Sequence, residues 1–200
     1  MYEFFRTLHH IDKDITLAIN SVHCPVSDWI WIMFSNKYIW FVMYAVIAFF
    51  LFRNLGWKKA LVSLAAIVLT IVCCDQLGNL CKWHFERLRP SWDGEMLRRG
   101  LRVLVDKGTG ISYGFYSAHA ANALGFAICS LLCFKQDTSR SYRIYGTAII
   151  IWGLLVGMSR IFVGMHFFGD VMTGYAVGTA VAIVFAALAD FAIRRLKLRD

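Results

Sequence analysis

Two histidines and an aspartate stand out because they lie where apolar segments of the chain begin or end. His119 opens one apolar segment, and His166 lies four residues before Asp170, which opens another. A histidine can act as a nucleophile or as a proton donor. A carboxylate four residues away can orient the imidazole ring and stabilise the cation that forms on it. These three residues are therefore candidates for nucleophilic and acid–base catalysis.

Three cationic residues, Lys82, Arg89 and Arg160, lie at the ends of other apolar segments. Guanidinium groups match the oxygens of a phosphate in geometry and charge. Backbone N–H groups around residues 117–119 would add the N-terminus of a helix, which attracts anions. The set indicates hydrolysis of a phosphoryl group. The alternative is a scatter of interfacial residues whose long side chains reach the headgroup layer.

The composition indicates a membrane protein. Of the 200 residues, 58% are hydrophobic and 17% are charged, and the mean hydropathy is +0.56. Soluble domains are about 45–50% apolar and about 25% charged, so an intrinsically disordered chain is excluded and an ordinary soluble domain is disfavoured. We predict an all-α, polytopic bundle of transmembrane helices. The net charge of +8 fits contact with anionic lipid headgroups or an anionic substrate, and no soluble basic module points to nucleic acid.

Five apolar segments can cross a membrane with the help of flanking residues, since a span takes about 20 helical residues. They cover residues 38–52, 60–81, 117–134, 144–158 and 171–189. Residues 1–36 are mixed in character, and Trp29 and Trp31 suit the headgroup layer. We predict interfacial helices for 1–36 and a membrane domain for 37–200. Pairs of glycines four residues apart, at 153/157 and 174/178, predict close approach between helices.

The number of spans determines which loops share a face of the membrane. With five spans, the linkers 82–116 and 159–170 lie on the face of the N-terminus, and the linkers 53–59 and 135–143 lie on the other face with the C-terminal tail. All of the candidate site residues fall on the first face, where a bundle could gather them into one pocket. Short basic loops orient membrane proteins best, so we place the other face in the cytoplasm.

Two further charged features have a structural and a functional interpretation. Asp75 lies inside a predicted span, on the same helix face as Lys82, and we expect it to support Lys82 or an arginine. The linker 82–116 is rich in cations, which indicates either a solvated loop near anionic headgroups or recognition of a second phosphate or a large anionic headgroup. These cations are Arg87, Arg98, Arg99, Arg102 and Lys107.

Three ordered motifs resemble the signature of the type 2 phosphatidic acid phosphatase superfamily. Residues 82–90 read K-x6-R-P, residues 116–119 read Y-S-A-H, and residues 159–170 read S-R-x5-H-x3-D. The family signature is K-x6-R-P, then P-S-G-H, then S-R-x5-H-x3-D. The resemblance covers residues 75–175, and three segments in the right order make it highly specific. The departures are Tyr116 and Ala118, where the family has Pro and Gly, and they put the shape of the leaving-group side of the pocket in doubt.

The resemblance implies a role for each matching residue. His166 would attack phosphorus and form a phosphohistidine, Asp170 would hold the ring of His166, and His119 would protonate the leaving oxygen and then activate water. The phosphate would be bound by Lys82, Arg89, Arg160, Ser117 and the N–H group of Ala118. No metal and no cofactor are implied.

The resemblance also implies the class of substrate. We expect an integral membrane phosphatase acting on a phosphorylated lipid in a bacterial inner membrane, with the site facing the periplasm or the outside. Undecaprenyl diphosphate, lipid A, phosphatidylglycerophosphate and phosphatidate all remain candidates, and membrane lipids surround the protein. The rival interpretations are a lipid or anion transporter and a non-catalytic lipid-binding protein of the same fold.

Overall fold

The computed structural model describes residues 2–197, and these residues form helices joined by irregular loops. Short 3₁₀ turns at Lys37–Trp40 and Pro90–Trp92 precede two of the helices. The helices are α1 (Tyr2–Asn20), α2 (Pro25–Ser35), α3 (Phe41–Leu55), α4 (Trp57–Phe85), α5 (Gly94–Arg98), α6 (Ala118–Phe134), α7 (Arg143–Phe162) and α8 (Phe168–Arg195).

Four of the described segments are long and apolar enough to cross a membrane. They are Lys37–Leu55, Trp57–Phe85, Arg143–Phe162 and Phe168–Arg195. Helix α6 is apolar too but has only 17 residues. The predicted all-α membrane bundle is confirmed, with five apolar helices at the five predicted segments. Helices α4, α7 and α8 are longer than the corresponding apolar segments, because flanking polar residues continue the helix.

Local backbone chemistry determines where the helices begin and end. Gly56, with φ of 74°, separates α3 from α4, a conformation that glycine adopts without a steric penalty. Helix α2 begins at Pro25, whose fixed φ suits the first turn of a helix. Ser117 is the N-cap of α6, where its hydroxyl oxygen accepts a hydrogen bond from the N–H of Ala120 at 3.4 Å.

Helix α6 lies at the centre of the bundle and contacts α4, α7 and α8. Where α6 meets α8, the two backbones are almost in contact. A Cβ atom at Gly178 would lie 2.2 Å from the carbonyl oxygen of Ala121, and one at Gly174 would lie 2.6 Å from that of Ser117. The close approach that the glycine spacing predicts is therefore present, and it brings the first turns of α6 and α8 together.

The ends of the helices that carry the motifs converge on one side of the bundle. The N–H of Ser117, just before α6, donates to the carbonyl oxygen of Asp170 in the first turn of α8 at 3.0 Å. The N–H of Leu104, in the long linker, donates to the carbonyl oxygen of Val163 after α7 at 3.2 Å. The convergence that the number of spans predicts is thus formed by direct backbone contacts.

Helix α1 packs against this same side through a polar face. Lys13, Thr16 and Asn20 are buried. The Nδ2 of Asn20 donates to the carbonyl oxygens of Ile161 and Phe162 at 3.1 and 2.9 Å. Asn20 therefore adds side-chain donors to carbonyl groups at the end of α7, where the regular hydrogen bonds of the helix end.

The cationic linker folds against the N-terminal helices. Arg99 pairs with Asp14 of α1 at 2.6 Å, and Arg102 pairs with Asp28 of α2. Lys107 lies over the ring of Trp92, 4.4 Å from its centroid. Of the two alternatives, the second phosphate site is disfavoured at Arg99 and Arg102, because intramolecular carboxylates already occupy their guanidinium groups.

Candidate active site

His166 lies in the short loop between α7 and α8 and is 2% exposed. Its Nδ1 is 3.5 Å from Oδ2 of Asp170, which is fully buried in the first turn of α8. The same Oδ2 accepts a hydrogen bond from the N–H of Phe167 at 3.1 Å. Asp170 therefore lies beside the ring of His166, as the i, i+4 spacing predicts, and its carboxylate contacts Nδ1 and not Nε2.

Burial lowers the pKa of His166 to about 4, although Asp170 acts in the opposite direction. Arg160 and Arg89 add to the lowering through their positive charges. A neutral imidazole has a free lone pair, and a protonated one does not. The ring of His166 is therefore neutral at neutral pH, which is the form that a nucleophilic role would require.

An NMR titration of histidine tests this shift. With ¹³C-labelled histidine in the intact protein in lipid nanodiscs, we expect the signal absent from His166→Gln to remain that of a neutral ring at about pH 5.5, where an ordinary histidine with a pKa of about 6.5 is mostly protonated. Acidification should protonate the ring only near the lower value. A midpoint at the ordinary value would contradict the argument from burial.

The two histidines and two of the cations line one cavity of about 450 Å³. His119 and Ala118 enter it from the first turn of α6, Lys82 from the end of α4, and Arg89 from the loop that follows. The first N–H groups of a helix have no partner within the helix. The start of α6 therefore adds backbone donors to the cations, which is a suitable environment for a phosphate.

An aromatic wall forms another part of the lining of this cavity. It consists of Phe34, Trp40, Phe41 and Tyr44, with Ile71 and Val156 beside them. The sequence analysis did not identify these residues, because aromatic side chains in an apolar segment are indistinguishable from core or lipid-facing ones. A cavity lined by both cationic and aromatic side chains fits an amphiphile with an anionic headgroup.

Arg160 is placed beside the histidines, although it lines a neighbouring cavity of about 300 Å³ that also includes His119. It is 7% exposed, and its Nη1 donates to the hydroxyl of Ser35 at the end of α2. Its carbonyl oxygen accepts the N–H groups of Met165 and His166 at 2.9 and 3.1 Å. Arg160 thus holds the loop of His166 through its backbone as well as supplying a cation near the site.

The two positions that depart from the family motif have different surroundings. Tyr116 is buried, and its hydroxyl donates to the carbonyl oxygen of Cys74 in α4 at 2.8 Å. It therefore packs toward α4 and is absent from the residues that line the cavity. Ala118 does line the cavity. Ser117 is fully buried as the cap of α6, so a contact of its hydroxyl with phosphate stays a prediction.

Asp75 has a different partner from the one expected. Its Oδ1 accepts a hydrogen bond from Nδ2 of Asn122 on α6 at 2.8 Å. Within residues 2–197, no ion pair joins Asp75 to Lys82, although both line the cavity. Asp75 therefore acts on Lys82 only at a distance, because α6 lies against α4 at this depth and presents an amide to the carboxylate.

Two charged residues behind Asp170 were also missed in the sequence. Nη1 of Arg87 donates to Oδ1 of Asp170 at 2.7 Å, and its Nη2 donates to Oδ2 of Asp12 at 2.5 Å. In the sequence Arg87 was grouped with the loop cations, although its position inside the K-x6-R-P motif indicated that it lies near the site. Asp12 carries no such signal, because only the folded chain brings α1 to the start of α8.

Within the described residues 2–197, no group of three or more His, Cys, Asp or Glu side chains is placed to hold a metal ion. Positive charge at this cavity is supplied by the side chains of Lys82 and Arg89, beside the N–H groups at the start of α6.

Comparison with known proteins agrees with this geometry. Residues 59–194 match the PAP2 superfamily. The chain is 34% identical over 198 residues to "Lipid A 4'-phosphatase" of Bacteroides thetaiotaomicron, covering 98% of this chain and 84% of the relative. It is 33% identical over 174 residues to the protein of the same name from Porphyromonas gingivalis, covering 86% and 70%.

Two crystal structures share the fold. A transmembrane PAP2-type phosphatidylglycerolphosphate phosphatase from Bacillus subtilis superposes with a TM-score of 0.73 at 18% identity, covering 92% of this chain and 87% of that one. Aquifex aeolicus LpxE superposes with a TM-score of 0.65 at 21% identity, covering 86% and 92%. With its motif residues gathered at one cavity and most of its length matched, this chain belongs to the PAP2 superfamily and is a membrane lipid phosphatase.

Proposed function

We propose that this phosphatase hydrolyses its lipid substrate through a phosphohistidine at His166. The observation that carries the proposal is the shared cavity, which both histidines, Lys82 and Arg89 line together with aromatic side chains. Such a lining offers cations to the phosphate of a lipid headgroup and apolar surface to the rest of the lipid.

The reaction has two steps. Nε2 of His166 attacks phosphorus, the bond from phosphorus to the lipid oxygen breaks, and His119 gives its proton to that oxygen. His119 then takes a proton from water, whose oxygen attacks the phosphohistidine and releases inorganic phosphate with His166 free again. Lys82, Arg89 and Arg160 stabilise the charge on the phosphoryl oxygens in both steps.

We propose lipid A, phosphorylated at its 4'-position, as the substrate. Two bacterial relatives that bear the name lipid A 4'-phosphatase support this choice, one of them over nearly the whole chain. The site chemistry is consistent with it, since a phosphate monoester needs an attacking group, a proton donor for the sugar oxygen and cations around the phosphate.

We further propose a bacterial inner membrane as the location, with the site at the periplasmic surface. Lys58, Lys59, Arg194 and Arg195 lie at the helix ends opposite the site, and cytoplasmic ends are typically basic. In this orientation α1 and α2 lie in the outer interface beside the cavity.

A panel of purified lipids assayed in excess EDTA tests the function. We expect release of inorganic phosphate from lipid A bearing a 4'-phosphate, at a rate at least about tenfold above that from phosphatidylglycerophosphate, phosphatidate and undecaprenyl diphosphate. Because side chains oppose the phosphate charge, chelation should leave this rate unchanged. Mass spectrometry of the product identifies which phosphate was removed.

His166→Ala serves as the control for contaminating phosphatases in this assay. Preference for another lipid of the panel would reject lipid A as the substrate, and activity that disappears in EDTA and returns with Mg²⁺ would reject the metal-free mechanism. Movement of phosphorylated lipid across a vesicle membrane without release of phosphate would instead identify a transporter.

A further inference from the structure

A chain of charged side chains leads from His166 out to helix α1. The carboxylate of Asp170 contacts Nδ1 of His166 with one oxygen and Nη1 of Arg87 with the other, at 3.5 and 2.7 Å. The other terminal nitrogen of Arg87, Nη2, contacts Oδ2 of Asp12 at 2.5 Å. One guanidinium group is therefore shared between a carboxylate of the site and a carboxylate of the N-terminal helix.

Helix α1 also holds the backbone at the start of α8. Oδ1 of Asp12 accepts the N–H of Gly169 at 2.7 Å, and Oγ1 of Thr16 accepts the N–H of Phe168 at 3.0 Å. The first N–H groups of a helix have no partner within the helix. Helix α1 supplies those partners, and it does so in the turn that carries Asp170.

The rings of Phe167 and His9 keep Arg87 in place. The guanidinium carbon lies 4.2 Å from the centroid of Phe167, in cation–π contact. Nδ1 of His9 lies 3.4 Å from Nη2 of Arg87, and burial together with the charge of Arg87 lowers the pKa of His9. A neutral His9 accepts a hydrogen bond from Arg87 and adds no charge to the chain of residues.

We propose that Asp12 and Arg87 are positioning residues that set the effective charge and the orientation of Asp170 while His166 carries the phosphoryl group. This role rests on the proposed phosphohistidine mechanism. The proposal gives α1 a part in catalysis through Asp12, which lies outside the three sequence motifs.

The charge of Arg87 is shared between two carboxylates, those of Asp170 and Asp12. Side chains of Asp170, Asp12 and Arg87 are 0%, 14% and 20% exposed, so solvent screens them weakly and their interactions are strong. An Arg87 paired with Asp170 alone would neutralise the carboxylate that must stabilise a cationic ring. Asp12 takes up part of that positive charge, which leaves Asp170 free to act on His166.

Asp12→Asn is the variant that separates charge from shape. The amide oxygen still accepts the N–H of Gly169, but the side chain no longer opposes the charge of Arg87. We expect kcat to fall about 10–100-fold, the range typical of losing a group that orients a metal-ligating side chain through a hydrogen bond. KM should stay within about twofold, because Asp12 does not contact the phosphate. Asp12→Glu, which restores the charge, should recover most of the activity.

Asp14→Asn is the matched control, since Asp14 lies on the same helix and pairs with Arg99 outside the site. Thr16→Val removes the other contact of α1 with α8 without changing any charge, and should lower the melting temperature more than it lowers kcat. Asp14→Asn should retain wild-type kcat. These two variants report what loosening of α1 does by itself.

A double-mutant cycle with Arg87→Lys gives the decisive measurement, because lysine keeps the charge but cannot bridge two carboxylates. If Asp12 acts through Arg87, Asp12→Asn should have little further effect in the Arg87→Lys background. Should Asp12→Asn fail to fold, a kcat loss with unchanged KM in Arg87→Lys alone still supports the proposal.

Three results would overturn this role for Asp12. They are wild-type kcat in Asp12→Asn, a kcat loss matched by Thr16→Val, and fully additive effects in the cycle. Rapid-quench labelling of the wild type and of Asp14→Asn tests the phosphohistidine mechanism separately from the role of Asp12. Turnover without a phosphohistidine at residue 166 would reject the proposed mechanism and, with it, this role.

Discussion

His166→Ala is expected to abolish turnover of both phosphorylated lipid and an aryl phosphate, a loss of at least about 10⁵-fold. The reason is that the phosphoenzyme bond is made to this ring, so no substrate avoids needing it. The fold should survive, because the loop of residue 166 is held through the carbonyl oxygen of Arg160 and the cap on α8. Phosphate release from both substrates measures the effect.

His119→Ala should behave differently on the two substrates. A general acid contributes about 10²–10⁴-fold, and it matters most when the leaving group is poor. The variant should therefore lose most lipid turnover but still transfer the phosphoryl group from an aryl ester. It should then stall, because the base that activates water is also missing.

Rapid quench with a labelled aryl phosphate tests this assignment directly. We expect an acid-labile, alkali-stable label at residue 166 to accumulate in His119→Ala. His84→Ala, which changes an exposed histidine at the end of α4, is the control and should behave as the wild type. A label elsewhere in the chain, or turnover by His166→Ala, would reverse the roles of the two histidines.

Asp170→Asn carries the second largest expected effect, a fall in kcat of about 10³–10⁴-fold, as for other carboxylates that hold a catalytic histidine. The amide can still accept the N–H of Phe167, which preserves the start of α8. It cannot oppose the positive charge that develops on His166, and it leaves Arg87 with only Asp12 as an anionic partner. Single-turnover rates of phosphoenzyme formation at saturating substrate measure the loss.

Asp190→Asn is the control on the same helix. Asp190 also belongs to an i, i+4 pair, with Arg194 at 2.9 Å, but it lies at the opposite end of α8 and is 42% exposed. This variant should keep wild-type rates, because exposed ion pairs contribute little. Equal rates in Asp170→Asn and Asp190→Asn would show that the buried carboxylate does not assist His166.

The sequence alone was sufficient to predict the membrane bundle. The five apolar segments are long relative to a bilayer, and a backbone in hydrocarbon must satisfy its hydrogen bonds internally, so helices are the available solution. The glycine pairs at 153/157 and 174/178 predicted close helix contact for an equally local reason, the absence of a Cβ atom. Helix α8 meets α6 through the second of these pairs.

The sequence also identified most of the site. The motif residues lie at helix ends that alternate across the membrane, so counting spans was enough to place them on one face. His119, His166, Lys82 and Arg89 line one cavity as this reasoning predicts. Their roles in the reaction stay predictions that the variants above test.

The partners of the charged residues were decided only by the tertiary structure. Asp75 contacts Asn122 and not Lys82, and Arg99 and Arg102 pair with carboxylates of α1 and α2. Asp12 reaches Arg87 across 75 positions of the chain. A charge is satisfied by whichever opposite group the fold brings within a few ångströms, and in a helical bundle that neighbour is set by the packing of whole helices. Sequence spacing does not predict these partners, so the contacts that link Asp12 and Arg87 to Asp170 were identified only in the folded protein.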